Sequence, residues 1–313
     1  METVLNCDVM VSEVGPRDGL QSVKRTMRTE DKCAWISALA AAGLTEIEVG
    51  SFVPPKLLPQ MADTGEIVAH ALTLPGLHVA VLVPNLRGAQ AAFSAGVHKV
   101  TVPVSVSEPH SLANVRKSQQ QMIDEVKSIV ALRNERYPEI QIEAGMTTAF
   151  GCTIQGIVPE DDTIRLSAIM AECGVDEIGL SDTCGYGNPA QVRRLFTRLK
   201  AEVGNKSGSA HFHNTRGQGL ANVVAALDVG VTTFDSSQGG LGGCPYAPGA
   251  TGNIVTEDLV FLLEAMGMRT GVNLEKLSIA RALLAKGLPG EPLYGHVPEA
   301  GVCKGFTYAK GTV

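Results

Sequence analysis

DEIGLSDTCGYGNPAQVRRLFTRLKAEVGNKSGSAHFHNT, residues 176–215, carries one full period of the pattern that decides the fold. Asp176–Thr183 is a short, strand-like run, closed by a glycine- and Asn-Pro-containing turn. Pro189–Val203 has the length and amphipathic pattern of a helix. Gly208–Thr215 returns to a strand pattern. A strand, a helix and a second strand joined this way imply a parallel pair, because the crossover helix carries the chain back to its starting edge.

The same period extends in both directions. Upstream, the strand-like runs are Val9–Val14, Thr45–Phe52, Leu77–Pro84, Lys99–Ser107 and Ile140–Phe150. Helical patterns follow them at Thr29–Ala42, Gly65–Leu74, Leu86–Ala95, Val115–Arg136 and Glu160–Cys173. Thr29 is expected as the N-cap of the first, and Gly43 as its C-terminal glycine. Downstream come a helix near Gly217–Val229, the run Thr232–Gly240, a glycine-rich loop and a helix near Val255–Met266. Eight strand–helix units predict an α/β fold, a closed (β/α)8 TIM barrel. An open doubly wound sheet is the alternative, but no GxGxxG follows the first strand. The expected division is a catalytic barrel over residues 1–270 and a short C-terminal extension over 271–313 packed on it.

The chain has 313 residues, 44% of them hydrophobic, and a net charge of −6. That charge argues against a nucleic-acid surface, and no apolar run reaches the ~20 residues of a bilayer span. Seven cysteines without a CxxC pair argue against a disulfide framework. With no signal-peptide pattern at the start, the expected location is cytoplasmic.

On a barrel, functional groups sit at the C-terminal strand ends and in the loops after them. The polar residues cluster there. Arg17 and Asp18 follow the first strand, Glu48 lies in the second, and Asp182 ends the sixth. His211 and His213 lie in the seventh, at i and i+2, so both imidazoles point to one face. With Asp18 from the first strand they suit Mg, Mn or Zn. Arg17, held at a rigid strand end, suits an enolate or carboxylate oxygen. The loop Gly239–Asn253, GGLGGCPYAPGATGN, holds six glycines and one cysteine. A long loop of this kind over a barrel mouth reads as a lid, and Cys244 as an acid or base that it carries.

EVGPRDGLQ (Glu13–Gln21), SFVPPKLLPQMAD (Ser51–Asp63), HFHNT and the cysteine loop together resemble the hydroxymethylglutaryl-CoA lyase family, from about Val9 to Leu277. The resemblance implies a divalent metal held by Asp18, His211, His213 and Asn253. It implies catalytic roles for Arg17, Glu48, Asp182, His211 and Cys244, and a further acid at Glu257. The expected reaction is retro-Claisen cleavage of 3-hydroxy-3-methylglutaryl-CoA to acetyl-CoA and acetoacetate, with Asp182 or His211 as the base. The expected partners are the acyl-CoA substrate and a second copy of the chain in a dimer. The related Claisen-condensing synthases lack the cysteine loop in this form.

The sequence departs from the family at four places. Phe212 and Asn214 replace a cysteine and an aspartate, Ile154 replaces a pocket tyrosine, and Gly179 replaces a serine. Ile154 and Gly179 are expected to alter substrate choice, so a related hydroxyacyl-CoA such as citramalyl-CoA is the alternative.

Overall fold

The computed structural model describes residues 7–242 and 252–311. Its strands are β1 (Met10–Glu13), β2 (Glu46–Ser51), β3 (His78–Leu82), β4 (Lys99–Ser105), β5 (Gln141–Thr147), β6 (Glu177–Asp182), β7 (Ser207–Phe212) and β8 (Thr233–Ser236). They pair in chain order, all parallel, as a closed barrel. Pairing of Met10 with Thr233 and of Glu13 with Ser236 closes the ring. The expected (β/α)8 architecture is therefore the observed one.

Residue parity sorts the strands into two layers. Ile47 and Val49 of β2, Val100, Val102 and Val104 of β4, and Ile142, Ala144 and Met146 of β5 are buried outward, toward the helices. The opposite parity fills the lumen, and much of it is charged. At the N-terminal end, buried Lys99 bridges Glu143 at 2.7 Å, Glu177 at 3.0 Å and Glu46 at 3.4 Å. Burial opposes a charged Lys99, but the three carboxylates outweigh it and raise its pKa well above the ordinary value. This ionic plug fills the lumen below the functional layer.

The outer ring comprises α1 (Thr29–Ala41), α2 (Thr64–Ala71), α3 (Leu86–Ser94), α4 (Glu108–Asn114), α5 (Gln119–Arg136), α6 (Glu160–Cys173), α7 (Pro189–Val203), α8 (Gly219–Leu227) and α9 (Thr256–Ala265). Two further helices, α10 (Leu274–Gly287) and α11 (His296–Ala300), follow. Here α10 packs against α1, and Asn273 N–H donates to Ala42 O at 2.8 Å across that contact. Among the described residues, no helix is long and apolar enough to cross a membrane.

Two local expectations fail. Thr29 is the first helical residue and Arg28 the cap position. The Thr29 hydroxyl donates instead to Asp63 Oδ2 at 2.9 Å, which ties α1 to the turn before α2. The single helix expected over Val115–Arg136 begins only at Gln119. Arg116 takes φ +57°, a left-handed conformation that no helix interior accepts. Ser118 then starts α5 through a capping box with Gln121. Gly43, by contrast, has φ +105° just past α1, as its assignment requires.

Candidate active site and metal centre

The turn after β1 is the first component. Gly15–Gly19 forms a single π-helical turn, with Gly19 N–H bonded to Val14 O at 3.3 Å and Asp18 N–H to the same oxygen at 2.7 Å. Beneath it lies the carboxylate of Glu13. Its Oε1 accepts from Gly15 N–H at 2.8 Å and Gln238 N–H at 2.9 Å, and its Oε2 accepts from the Thr256 hydroxyl at 2.6 Å. One buried side chain thus fastens the Arg17–Asp18 turn to the segment entering the cysteine loop. Burial pushes its pKa up to about 8, against the pull of those three donors.

Arg17 and Asp18 enter the lumen from this turn. Arg17 Nε donates to Glu48 Oε2 at 2.5 Å, and its Nη1 donates to Asp18 Oδ1 at 2.7 Å. Glu48 is buried, and burial pushes its pKa up to about 7 although Arg17 opposes the shift. Burial also disfavours charge on Asp18, but Arg17 and the two histidines win and hold it below its ordinary value.

The second component is the HxH pair. His211 Nε2 and His213 Nε2 approach to 3.1 Å, and each lies 4.0 and 3.9 Å respectively from Asp18 Oδ2. Ligand atoms of Asp18, His211 and His213 all fall within 4.8 Å of one another, the spacing of a metal triad. Asn253 completes the group from the far end of the cysteine loop, where its backbone bridges to His213. Its amide Nδ2 donates to Asp18 Oδ2 at 2.7 Å and to Leu241 O at 3.1 Å. Its Oδ1 is buried with no hydrogen-bond partner among the described residues. A buried orphan acceptor beside a carboxylate and two imidazole nitrogens is a donor set for a divalent cation. The expected ligand residues therefore fit the metal.

His211 and His213 are not equivalent. Burial works against charge on both. On His211 the nearby Asp235 and Asp18 reverse the effect and raise its pKa, while His213 is pushed down to about 4 by burial and by His211. Asp235 escaped the sequence reading. It is a lone acid within the strand-like run TTFDSS and matches no motif. The signal that finds it is register, since His211 and Asp235 are ladder partners.

Asp182 is not one of the grouped ligand residues, although the charge of His211 acts on it. Its Oδ1 accepts from Tyr186 N–H at 2.8 Å and its Oδ2 from Gly187 N–H at 3.0 Å, so the carboxylate shapes the turn after β6. Burial pushes its pKa up to about 6 against those bonds. Glu257, also outside the cluster, pairs with Arg281 of α10 at 3.1 Å. Cys244 lies outside the described residues. Cys152 and Cys184 are fully buried, and Cys152 Sγ accepts from Ile154 and Gln155 N–H.

The departures now have locations. Phe212 packs against Phe150, with ring centroids 5.9 Å apart. Asn214 Oδ1 accepts from Gly219 N–H at 3.0 Å, at the start of α8. Ile154 is 46% exposed in the loop after β5. Gly179 faces the barrel interior, where a Cβ would stand 2.3 Å from Glu143 Oε1 and 2.4 Å from Ser209 Oγ. Its missing side chain makes room for the Ser209–Glu143 hydrogen bond of 2.6 Å. The expectation that Gly179 shapes the substrate wall is corrected accordingly.

The profile of the HMGL-like family matches residues 8–284. The chain belongs to the HMGL-like family. Among its relatives, this HMGL-like barrel is 42% identical to the hydroxymethylglutaryl-CoA lyase YngG of Bacillus subtilis, over 91% of this chain and 94% of that one. It is 40% identical to the 3-hydroxy-3-isohexenylglutaryl-CoA/hydroxymethylglutaryl-CoA lyase of Pseudomonas aeruginosa, over 86% of this chain and 89% of that one. A hydroxymethylglutaryl-CoA lyase of Acinetobacter baumannii, solved with coenzyme A and 3-methylmalate, superposes with a TM-score of 0.90. It is 36% identical and covers 97% of this chain and 99% of its own.

Proposed function

We propose that this HMGL-like barrel is a divalent-metal-dependent carbon–carbon lyase that cleaves 3-hydroxy-3-methylglutaryl-CoA to acetyl-CoA and acetoacetate. The observation that carries the reading is the Asp18–His211–His213 triad, with the orphan Asn253 Oδ1 beside it and Arg17 adjacent. The lyases of Bacillus subtilis and Pseudomonas aeruginosa, about two-fifths identical over nearly the whole chain, support the substrate class. The scope covers a catalytic barrel over residues 1–270 with 271–313 as its packed extension, a homodimer in the cytoplasm, and Mg or Mn as the resident ion, with Zn as the alternative.

When bound, the cation supplies Lewis acidity toward the substrate's tertiary hydroxyl and free carboxylate. The chain's own groups do the rest. Of the two expected bases, His211 is committed to the ligand set and Asp182 is turned toward its own loop. Glu48 is the carboxylate in the cluster with an oxygen, Oε1, that has no partner among the described residues. We assign the hydroxyl proton to that oxygen, with Arg17 holding the other. Loss of the proton drives cleavage of the C2–C3 bond, and the electron pair moves into the thioester enolate. Arg17, with a fixed guanidinium at the lumen wall, offsets the developing negative charge. Cys244 delivers a proton to the enolate carbon as acetyl-CoA forms.

Ile154, apolar and exposed where the family carries a tyrosine, favours a second reading in which the group on C3 is larger than methyl. The deciding assay measures acetyl-CoA release from a panel of thioesters, with and without Mg or Mn. The panel holds 3-hydroxy-3-methylglutaryl-CoA, citramalyl-CoA and 3-hydroxy-3-isohexenylglutaryl-CoA. Metal-dependent release with the methyl compound as best substrate is expected. Absence of release from every member refutes the lyase reading.

A further inference from the structure

Asp235 occupies the lumen face of β8, level with His211 on β7, because the two are partners in the parallel ladder. Its Oδ2 lies 3.0 Å from His211 Nδ1. A carboxylate can only accept, so Nδ1 carries the hydrogen, and in the neutral ring the lone pair is on Nε2. That atom faces His213 and Asp18. The other histidine has no such support among the described residues, where His213 Nδ1 is buried without a hydrogen-bond partner. The triad therefore contains one imidazole whose Nδ1 is held by a carboxylate and one whose Nδ1 has no such partner among the described residues.

We propose that Asp235 is a positioning residue of the metal centre. It holds His211 as a ready Nε2 ligand and is not itself a ligand. The inference rests on the metal reading above. A carboxylate behind a ligating histidine orients the ring and raises its basicity, and losing such a partner typically costs about 10–100-fold in metal affinity. Asparagine at this position keeps an oxygen able to accept from Nδ1–H, whereas alanine removes it. The three residue types therefore rank in order. The chain with aspartate at 235 binds metal most tightly, the chain with asparagine less so and the chain with alanine least.

The test is Mn2+ affinity of the purified full chain, read as free Mn2+ by electron paramagnetic resonance. It is measured for wild type, Asp235→Asn, Asp235→Ala, His211→Ala and the double variant His211→Ala/Asp235→Ala. Expected is a loss of about 10–100-fold in Asp235→Ala, a smaller loss in Asp235→Asn, and no further loss when Asp235→Ala is added to His211→Ala. Histidine 15N shifts of the metal-free protein supply a second readout. At a pH where the ring is neutral, His211 should be the Nδ1–H tautomer in wild type and should lose that preference in Asp235→Ala. If Asp235→Ala fails to fold, Asp235→Asn and the tautomer measurement carry the decision. Wild-type affinity in Asp235→Ala overturns the proposal, and so does an equal further loss on the His211→Ala background, which makes Asp235 an independent ligand. A wild-type chain that takes up no Mn2+ overturns the metal reading and the proposal with it.

Discussion

Replacing Glu13 tests how the site is held together. Glu13→Ala removes the acceptor shared by Gly15 N–H and Gln238 N–H and strands both donors in the interior. Each orphaned buried group costs about 1–3 kcal/mol, so the expected loss is roughly 2–6 kcal/mol before any cavity cost. Glu13→Gln is nearly isosteric. Its amide oxygen serves the two N–H groups, and its NH2 donates to the Thr256 hydroxyl, which keeps Ser236 Oγ as a partner at 2.9 Å. The pH dependence follows from sign. The folded carboxyl, near 8, binds its proton more tightly than the unfolded one, near 4.5. The wild-type contribution is therefore complete below about pH 4.5 and is lost as pH rises toward 8. At about 1.4 kcal/mol per pH unit, the difference grows to on the order of 5 kcal/mol in favour of Glu13→Gln. The assay is urea unfolding of wild type and both variants from pH 5 to 9. A difference between wild type and Glu13→Gln that does not change with pH refutes the argument, and so does an Asp18–Asn253 site that stays intact in Glu13→Ala.

Other expectations can be checked separately. Cys244→Ala should lower kcat by about 10²-fold or more with little change in KM or melting temperature, if the thiol transfers a proton; unchanged kcat assigns that proton to another group. Glu48→Gln should abolish most turnover, while Asp182→Asn should chiefly lower the melting temperature by disturbing the Tyr186–Gly187 turn; the reverse pattern in steady-state kinetics makes Asp182 the base. Chelation should remove activity and added Mg or Mn should restore it, as followed by acetyl-CoA release. Lys99→Met leaves the buried carboxylates of Glu46 and Glu143, and the half-buried one of Glu177, without their cation and should cost about 3–5 kcal/mol. Because those carboxylates can then take up protons, thermal melts should show the loss shrinking as pH falls.

The barrel was legible because its rules act locally. Each parallel strand is a short apolar run, and each crossover helix is marked by length and amphipathic spacing, so counting units gave the architecture. His211 and His213 were legible because a spacing of two fixes their common face without any tertiary knowledge. Other features needed partners distant in sequence. Thr29 looks like a cap until Asp63 is placed beside it. The break at Arg116 interrupts a pattern that reads as continuous. Asp235 becomes visible only through its ladder pairing with His211. Gly179 was assigned to the wrong neighbourhood for the same reason, since Glu143 and Ser209 come from the flanking strands β5 and β7.

The site straddles the seam where the barrel closes. Asp18 follows β1, His211 lies on β7 and His213 just past its end, Asp235 lies on β8, and Asn253 returns from the loop beyond β8. No two neighbouring elements of the chain can assemble this set. It forms only when the first strand pairs with the last, which is the most non-local strand pairing of the barrel. Glu13 reinforces that seam with bonds to Gln238 and Thr256, and Trp35 does so from α1 through its Nε1 bond to Gln238 Oε1 at 2.8 Å. The lower lumen needs no such reinforcement, because Lys99 and its carboxylates bridge β2, β4, β5 and β6 directly. Metal affinity should therefore report on closure of the β1–β8 seam. A substitution that loosens that pairing will weaken the ligand set before it unfolds the ionic plug beneath.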